Sequence, residues 1–144
     1  MFDPKPPFTF SRIVSIVFAQ LGFKKTKRFE IQKRRLASSR YLLYTKASLK
    51  GTPLHDYYSQ IIPEIVIEVD TKADTLTIPT YYLDKTKHLH KNGVRRVIWI
   101  FTSPEQVMVA ERGEKWTIQD WSESFEVTDG FMLNIKELID DYEE

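Results

Sequence analysis

The sequence predicts a mixed α/β (α+β) fold, a central sheet of parallel and antiparallel strands flanked by helices. Three observations carry this expectation. Period-two alternation of apolar and polar residues recurs along the chain. A helical pattern falls between two strand patterns, which points to a crossover connection. An amphipathic helix also stands ahead of the first strand pattern. At 144 residues the chain is long enough to bury a real core, and a single domain over 1–144 is expected.

After the proline-rich start MFDPKPPFTF, the residues Phe10, Ile13, Val14, Val17, Phe18 and Leu21 recur at helical spacing. Thr9 or Ser11 serves as N-cap and Gly22 as the stop. Residues 25–36 and 40–48 then read as two strands, the second rich in aromatic and β-forming residues. A loop with Gly51, Pro53 and His55-Asp56 leads to PEIVIEVDTKAD, residues 63–74. Side chains alternate across a strand, so Ile65, Ile67 and Val69 would enter a core while Glu64, Glu68, Asp70 and Lys72 line the opposite face. Acids crowded on one face are costly unless cations lie nearby. In LTIPTYYLDKTKHLHKNGV, Pro79 suits a first helical turn and Asn92-Gly93 its stop, with Tyr82, Leu83 and Leu89 toward the core. A buried strand VRRVIWIF (94–101), a turn at Ser103-Pro104, a hairpin around Arg112-Gly113 and a short acidic helix ending GFMLNIKELIDDYEE complete the order.

Composition narrows the chemistry. With no cysteine, disulfides, thiolate zinc sites and cysteine nucleophiles are excluded, and a reducing, cytoplasmic setting is expected. The longest apolar run falls well short of the roughly 20 residues that span a bilayer, and the start lacks the pattern of a signal peptide, so no membrane partner is expected. The net charge of +1 hides an asymmetry: residues 1–50 hold 12 Lys/Arg against Asp3 and Glu30, and residues 51–144 hold 9 against 18 acids. The stretch KKTKRFEIQKRRLASSR (24–40) supplies Lys24, Lys25, Lys27, Arg28, Lys33, Arg34, Arg35 and Arg40 as candidate nucleic-acid contacts, since each cation that neutralises a phosphate releases a condensed counterion. The plainer reading is a solvated hairpin that balances the acidic half.

Other motifs are weaker. No Gly-rich phosphate loop, G-x-S-x-G elbow or H-E-x-x-H is present. His88 and His90 stand about 200° apart around a helix and would not chelate one ion together; surface histidines are expected. His55 beside Asp56 reads as a polar loop pair. Trp99, Trp116 and Trp121 read as packing residues, and so do Tyr57-Tyr58 and Tyr81-Tyr82, although either tyrosine pair could stack bases.

From Pro63 onward, PEIVIEV (63–69), LDKTKHLHKNGV (83–94), VIWIFTSPEQ (97–106) and GFMLNIKELI (130–139) follow one another with a spacing that resembles the Uma-two family, bacterial proteins of the restriction-endonuclease-like fold and the PD-(D/E)XK superfamily. The resemblance covers about 80 of the 144 residues. It implies a metal-dependent DNA endonuclease, with DNA as partner, a homodimer as candidate assembly, and Mg²⁺ or Mn²⁺ held by carboxylates on adjacent strands beside a lysine that orients water or neutralises phosphate.

On the residues that match, the resemblance implies Glu68 and Lys85 as catalytic groups, with Glu64 in the place of the family's aspartate after proline, and Glu68, Glu64 and Asp70 as metal ligands. Asp70-Thr71-Lys72 also matches a literal (D/E)XK triplet, which makes Lys72 the competing lysine. One departure stands out: the family's earlier proline-aspartate has no counterpart, because LASSRYLLYTK holds no acid and Ser39-Arg40 stands about where it belongs. Metal binding would then need Glu64, Asp70 or Asp56 as a replacement. The alternative is a degenerate nuclease fold that acts as a binding or interaction module through the basic hairpin at 24–40. A salt-bridged acidic face beneath that hairpin is the purely structural account of the same residues.

Overall fold

A computed structural model describes residues 16, 19, 29–35, 39–50, 61–70 and 79–143, and for 29–35, 39, 79, 80, 142 and 143 it describes the backbone alone. Most of the first expected helix, and the expectations placed on Lys24, Lys25, Lys27, Arg28, His55, Asp56, Tyr57, Tyr58 and Lys72, lie outside the described residues. The elements in order are β1 (Phe29–Arg35), β2 (Ser39–Thr45), the short α1 (Lys46–Leu49), β3 (Ile65–Asp70), α2 (Pro79–Lys91), β4 (Arg96–Thr102), β5 (Glu105–Glu111), β6 (Thr117–Asp120), β7 (Phe125–Thr128), β8 (Phe131–Leu133) and α3 (Ile135–Glu143).

Strands β1 to β6 form one sheet in sequence order, and β7 pairs with β8 in a separate hairpin. The pair β3–β4 is parallel and the other pairs of the large sheet are antiparallel. The mixed sheet of the expected fold class is therefore present. Its parallel pair follows from α2, which returns the chain to the end of the sheet where β3 began. That helix stops where the sequence says it should. Asn92 Nδ2 donates to the His88 carbonyl at 2.8 Å, the Val94 N–H donates to the Leu89 carbonyl at 3.0 Å, and Gly93 sits at φ +107°, a left-handed conformation that favours glycine.

The two faces of the sheet carry different layers. On one, Tyr41, Leu43, Ile65, Ile67, Val69, Ile98, Ile100 and Val107 pack with residues of β7, β8 and α3 and with Ile16. On the other, Leu42, Tyr44, Val66, Val97, Trp99, Phe101 and Met108 pack beneath Tyr82 and Leu89 of α2. Strand β3 is covered on both sides, with Ile65 through Val69 all buried, as a strand beside a parallel partner usually is.

Several expectations need correction. The acid-lined face of β3 is covered, because α2 lies over it; the strand is described over Ile65–Asp70, and residues 71–74 lie outside the described residues. The second strand stops at Thr45, whose hydroxyl accepts the Ser48 N–H at 3.3 Å and starts α1, so Lys46–Ser48 turn instead of extending. Leu83 is exposed, whereas Tyr82 and Leu89 face the core as expected. Strand β7 was not anticipated, although Phe125, Glu126 and Val127 do alternate between buried and exposed.

Candidate site on the central strand

Register brings the site together. Arg40 of β2 lies opposite Glu68 of β3, and Glu68 lies opposite Trp99 of β4. Arg34 of β1 is in turn the register partner of Arg40. Helix α2 crosses above this row. Its Tyr82 and Leu89 pack on the sheet, and Lys85, one turn on from Tyr82, therefore hangs over the row from the same side of the helix.

Glu68 is the focus, with none of its side chain exposed. Arg40 Nε donates to its Oε1 at 2.5 Å, while Lys85 Nζ stands 2.9 Å from Oε2. The second contact is an ion pair without hydrogen-bond direction, so Oε2 receives no directed hydrogen bond from the described residues. The two cations keep partial access to solvent, at 18% exposure for Arg40 and 24% for Lys85. The cluster as a whole carries one net positive charge.

Aromatic rings hold the lysine in place. Its ammonium lies 5.5 Å from the Trp99 ring centroid and 5.8 Å from that of Tyr81, within reach of cation–π attraction. Trp99 is itself fixed: its indole N–H donates to Thr86 Oγ1 at 2.9 Å, and that hydroxyl donates to the Tyr82 carbonyl at 2.6 Å. Tyr82 meets Trp99 and Phe101 edge-on, with centroids 4.9 and 4.8 Å apart. The sequence marks Tyr82 for packing or base stacking and does not single out Thr86. The buried Thr86 in an otherwise apolar contact row is the signal that marks them.

Glu64 is placed elsewhere. It precedes β3, four residues from Glu68, which at the rise of a strand is about 13 Å. Its carboxylate takes a hydrogen bond from Arg95 Nε at 2.8 Å. Arg95 also donates to Glu111 Oε1 at 2.7 Å, and Arg96 Nε donates to Glu111 Oε2 at 2.6 Å. Arg96 reaches on to the carbonyls of Glu126 and Val127. Partial burial of Glu111 works against its ionisation, yet the hydrogen bonds from Arg96 and Arg95 outweigh it and hold this carboxyl below its ordinary range. For Arg95, too, burial opposes the charge, and its bonds to Glu111 and Glu64 prevail and raise its pKa. Glu64 thus belongs to a clamp at the start of β3 and β4, and the structure does not bring it to Glu68.

Asp70 ends β3 half-buried, its carbonyl accepting the Thr102 hydroxyl at 3.5 Å. Lys33, Arg34 and Arg35 lie in β1, in register with Tyr41, Arg40 and Ser39. His88 is exposed as expected. His90 departs from the surface reading: it is half-buried, 3.0 Å from the Ala110 carbonyl through Nε2, with its ring 5.9 Å from that of Trp116.

The described residues do not fit the divalent ion that the resemblance implies. A magnesium or manganese site needs several anionic or neutral oxygen donors around one point, and the two oxygens of Glu68 face a guanidinium and an ammonium instead. Among the described residues no group of three or more His, Asp or Glu side chains could hold a metal. The residue in register with Glu68 on β2 is Arg40, a cation and not an oxygen donor.

Comparison with known proteins agrees on architecture. A crystal structure from Anabaena variabilis ATCC 29413, described as a "putative nuclease belonging to DUF820", superposes with a TM-score of 0.61 at 16% identity, over 97% of this chain and 85% of that one. The two chains share a fold. No family model and no curated protein matches the sequence. No helix among the described residues is long and apolar enough to cross a membrane.

Proposed function

We propose that this chain is a nuclease-fold nucleic-acid-binding module that holds phosphates without hydrolysing them. A single observation carries the reading: the arginine opposite Glu68, which puts fixed positive charge where a catalytic metal would need a second acid. A guanidinium and an ammonium beside one buried carboxylate leave a net cation that attracts phosphate, and Arg34 of the basic hairpin is the register partner of Arg40. The nuclease named for the neighbouring fold supports nucleic acid as the partner.

A second reading, the metal-dependent DNA endonuclease with Glu68 and Lys85 at its centre, is favoured by one feature, the Glu68 oxygen that lacks a directed hydrogen bond. Two measurements separate the readings. Under the binding reading, an oligonucleotide binds with an affinity that falls steeply between about 50 and 200 mM salt, and plasmid stays intact in Mg²⁺ and Mn²⁺. Nicking that disappears in both Glu68→Ala and Lys85→Ala would establish the endonuclease instead. An oligonucleotide that does not bind even at low salt would remove nucleic acid as the partner.

A further inference from the structure

Arg40 uses one edge of its guanidinium on Glu68, through Nε alone. Its two terminal nitrogens make no hydrogen bond or ion pair with any described residue, and the side chain is partly exposed. Arg40 borders an open cleft of about 160 Å³. Along β2 its lining runs Arg40, Leu42, Tyr44, so the guanidinium closes one end of a row about 13 Å long. Val66, Leu89, Val94 and the Ile61–Pro63 segment complete the wall, and Asn92 contributes a polar rim. Asn92 Nδ2 is committed to the His88 carbonyl, which leaves its amide oxygen as an acceptor.

We propose that this cleft holds one nucleotide unit, its phosphate on the terminal nitrogens of Arg40, which do not bond Glu68, and its base against the apolar wall. The inference rests on the nucleic-acid reading above and gives it a subsite. Charge selects the ligand's head: a planar guanidinium whose terminal N–H groups bond no described residue matches a phosphate in a two-point contact, and the apolar wall strengthens that contact by excluding water. Size selects the body. The cleft is smaller than the roughly 300–1,000 Å³ of sites for drug-sized ligands, which limits it to a single ring system. The Asn92 oxygen can accept from a base amino or imino group.

The test is calorimetric titration of the full chain with thymidine 5′-monophosphate, thymidine and inorganic phosphate. A single-stranded oligonucleotide is titrated alongside. The monophosphate should bind more tightly than either fragment. Arg40→Lys keeps the charge beside Glu68 but loses the fork, and it should weaken the monophosphate by about tenfold or more, the loss of one charge-assisted hydrogen bond. Ile62→Glu, at a side chain 51% exposed, adds an anion to the cleft with little risk to folding and should weaken it comparably. Inorganic phosphate binding as tightly as the monophosphate would overturn the base pocket, and unchanged binding in both variants would overturn the site. If the oligonucleotide binds while the monophosphate does not, this inference alone falls. If neither binds, the nucleic-acid reading falls with it.

Discussion

Glu64, just before β3, and Glu68, within it, are the same residue type four positions apart, yet they live in opposite circumstances. Glu64 is more than a third exposed and shares a clamp of arginines with Glu111. Glu68 is fully buried, and its two oxygens are held by one directed hydrogen bond and one ion contact. The difference teaches that the strand's alternation selects only a face; what covers the face decides the role. Helix α2 covers Glu68 and turns it into a buried charge that needs its cations, whereas the strand entry leaves Glu64 to solvent and to replaceable partners.

This contrast can be broken or sharpened by substitution, and the largest effect should come from the buried end. Glu68→Ala leaves Arg40 and Lys85 close together without their counter-ion. Chemical denaturation should record a loss of about 3–5 kcal/mol, the range for breaking a buried pair. A loss below about 1 kcal/mol would mean that the cluster is open to water and that burial does not distinguish it from the clamp.

Arg40→Asp inverts the site and comes next. Two carboxylates then face each other across β2 and β3, so the variant should be destabilised in chelator and restabilised by Mn²⁺, by about 2.7 kcal/mol when the free ion is at 100 times its dissociation constant. The unaltered chain should show no such gain in a thermal melt. A manganese-dependent rise in its melting temperature that Glu68→Gln abolishes would show that the existing residues already bind the metal.

At the clamp the effects should be smaller and tuned by pH. Glu111→Gln removes the acceptor shared by Arg95 and Arg96, and unfolding at pH 7 should show a loss of about 1–2 kcal/mol. The Glu111 carboxyl titrates below its ordinary value in the folded chain. Its contribution is therefore present above the unfolded pKa of about 4.3 and is lost as pH falls through the lower folded one. The gap between variant and parent should narrow as pH falls through that acidic window; a gap that widens in acid would contradict the assignment. Least of all, Glu64→Ala should cost about 0–1 kcal/mol at pH 7, as expected of an exposed pair, and should leave nucleotide and oligonucleotide binding unchanged.

Much of the fold was legible in the sequence because it rests on local rules. The spelling of Ile65, Ile67 and Val69 places β3, Pro79 and Gly93 bound α2 to within a residue or two, and the helix between two strands announces the parallel pair. Boundaries that depend on capping were less legible: Thr45 ends β2 by accepting a hydrogen bond from Ser48, a choice that the β-forming run before it does not reveal. Part of the site is visible in the sequence, since Glu68, Lys85 and Arg40 are all singled out there as charged residues, and the structure brings these three together.

The sequence by itself determined the order of elements, the face on which each charged side chain of β3 emerges, and the absence of any acid in the strand that follows the basic hairpin. Only the tertiary structure decided that Glu68 is buried and Glu64 is not, that Arg40 falls in register with Glu68, and that Lys85 arrives over Trp99. Alternation and capping act between near neighbours and can be read along the chain. The pairing of residues 28 and 17 positions apart, Arg40 with Glu68 and Lys85 with Glu68, is set by strand register and by the packing of α2 across the sheet. Those are properties of the whole fold, and no local pattern encodes them.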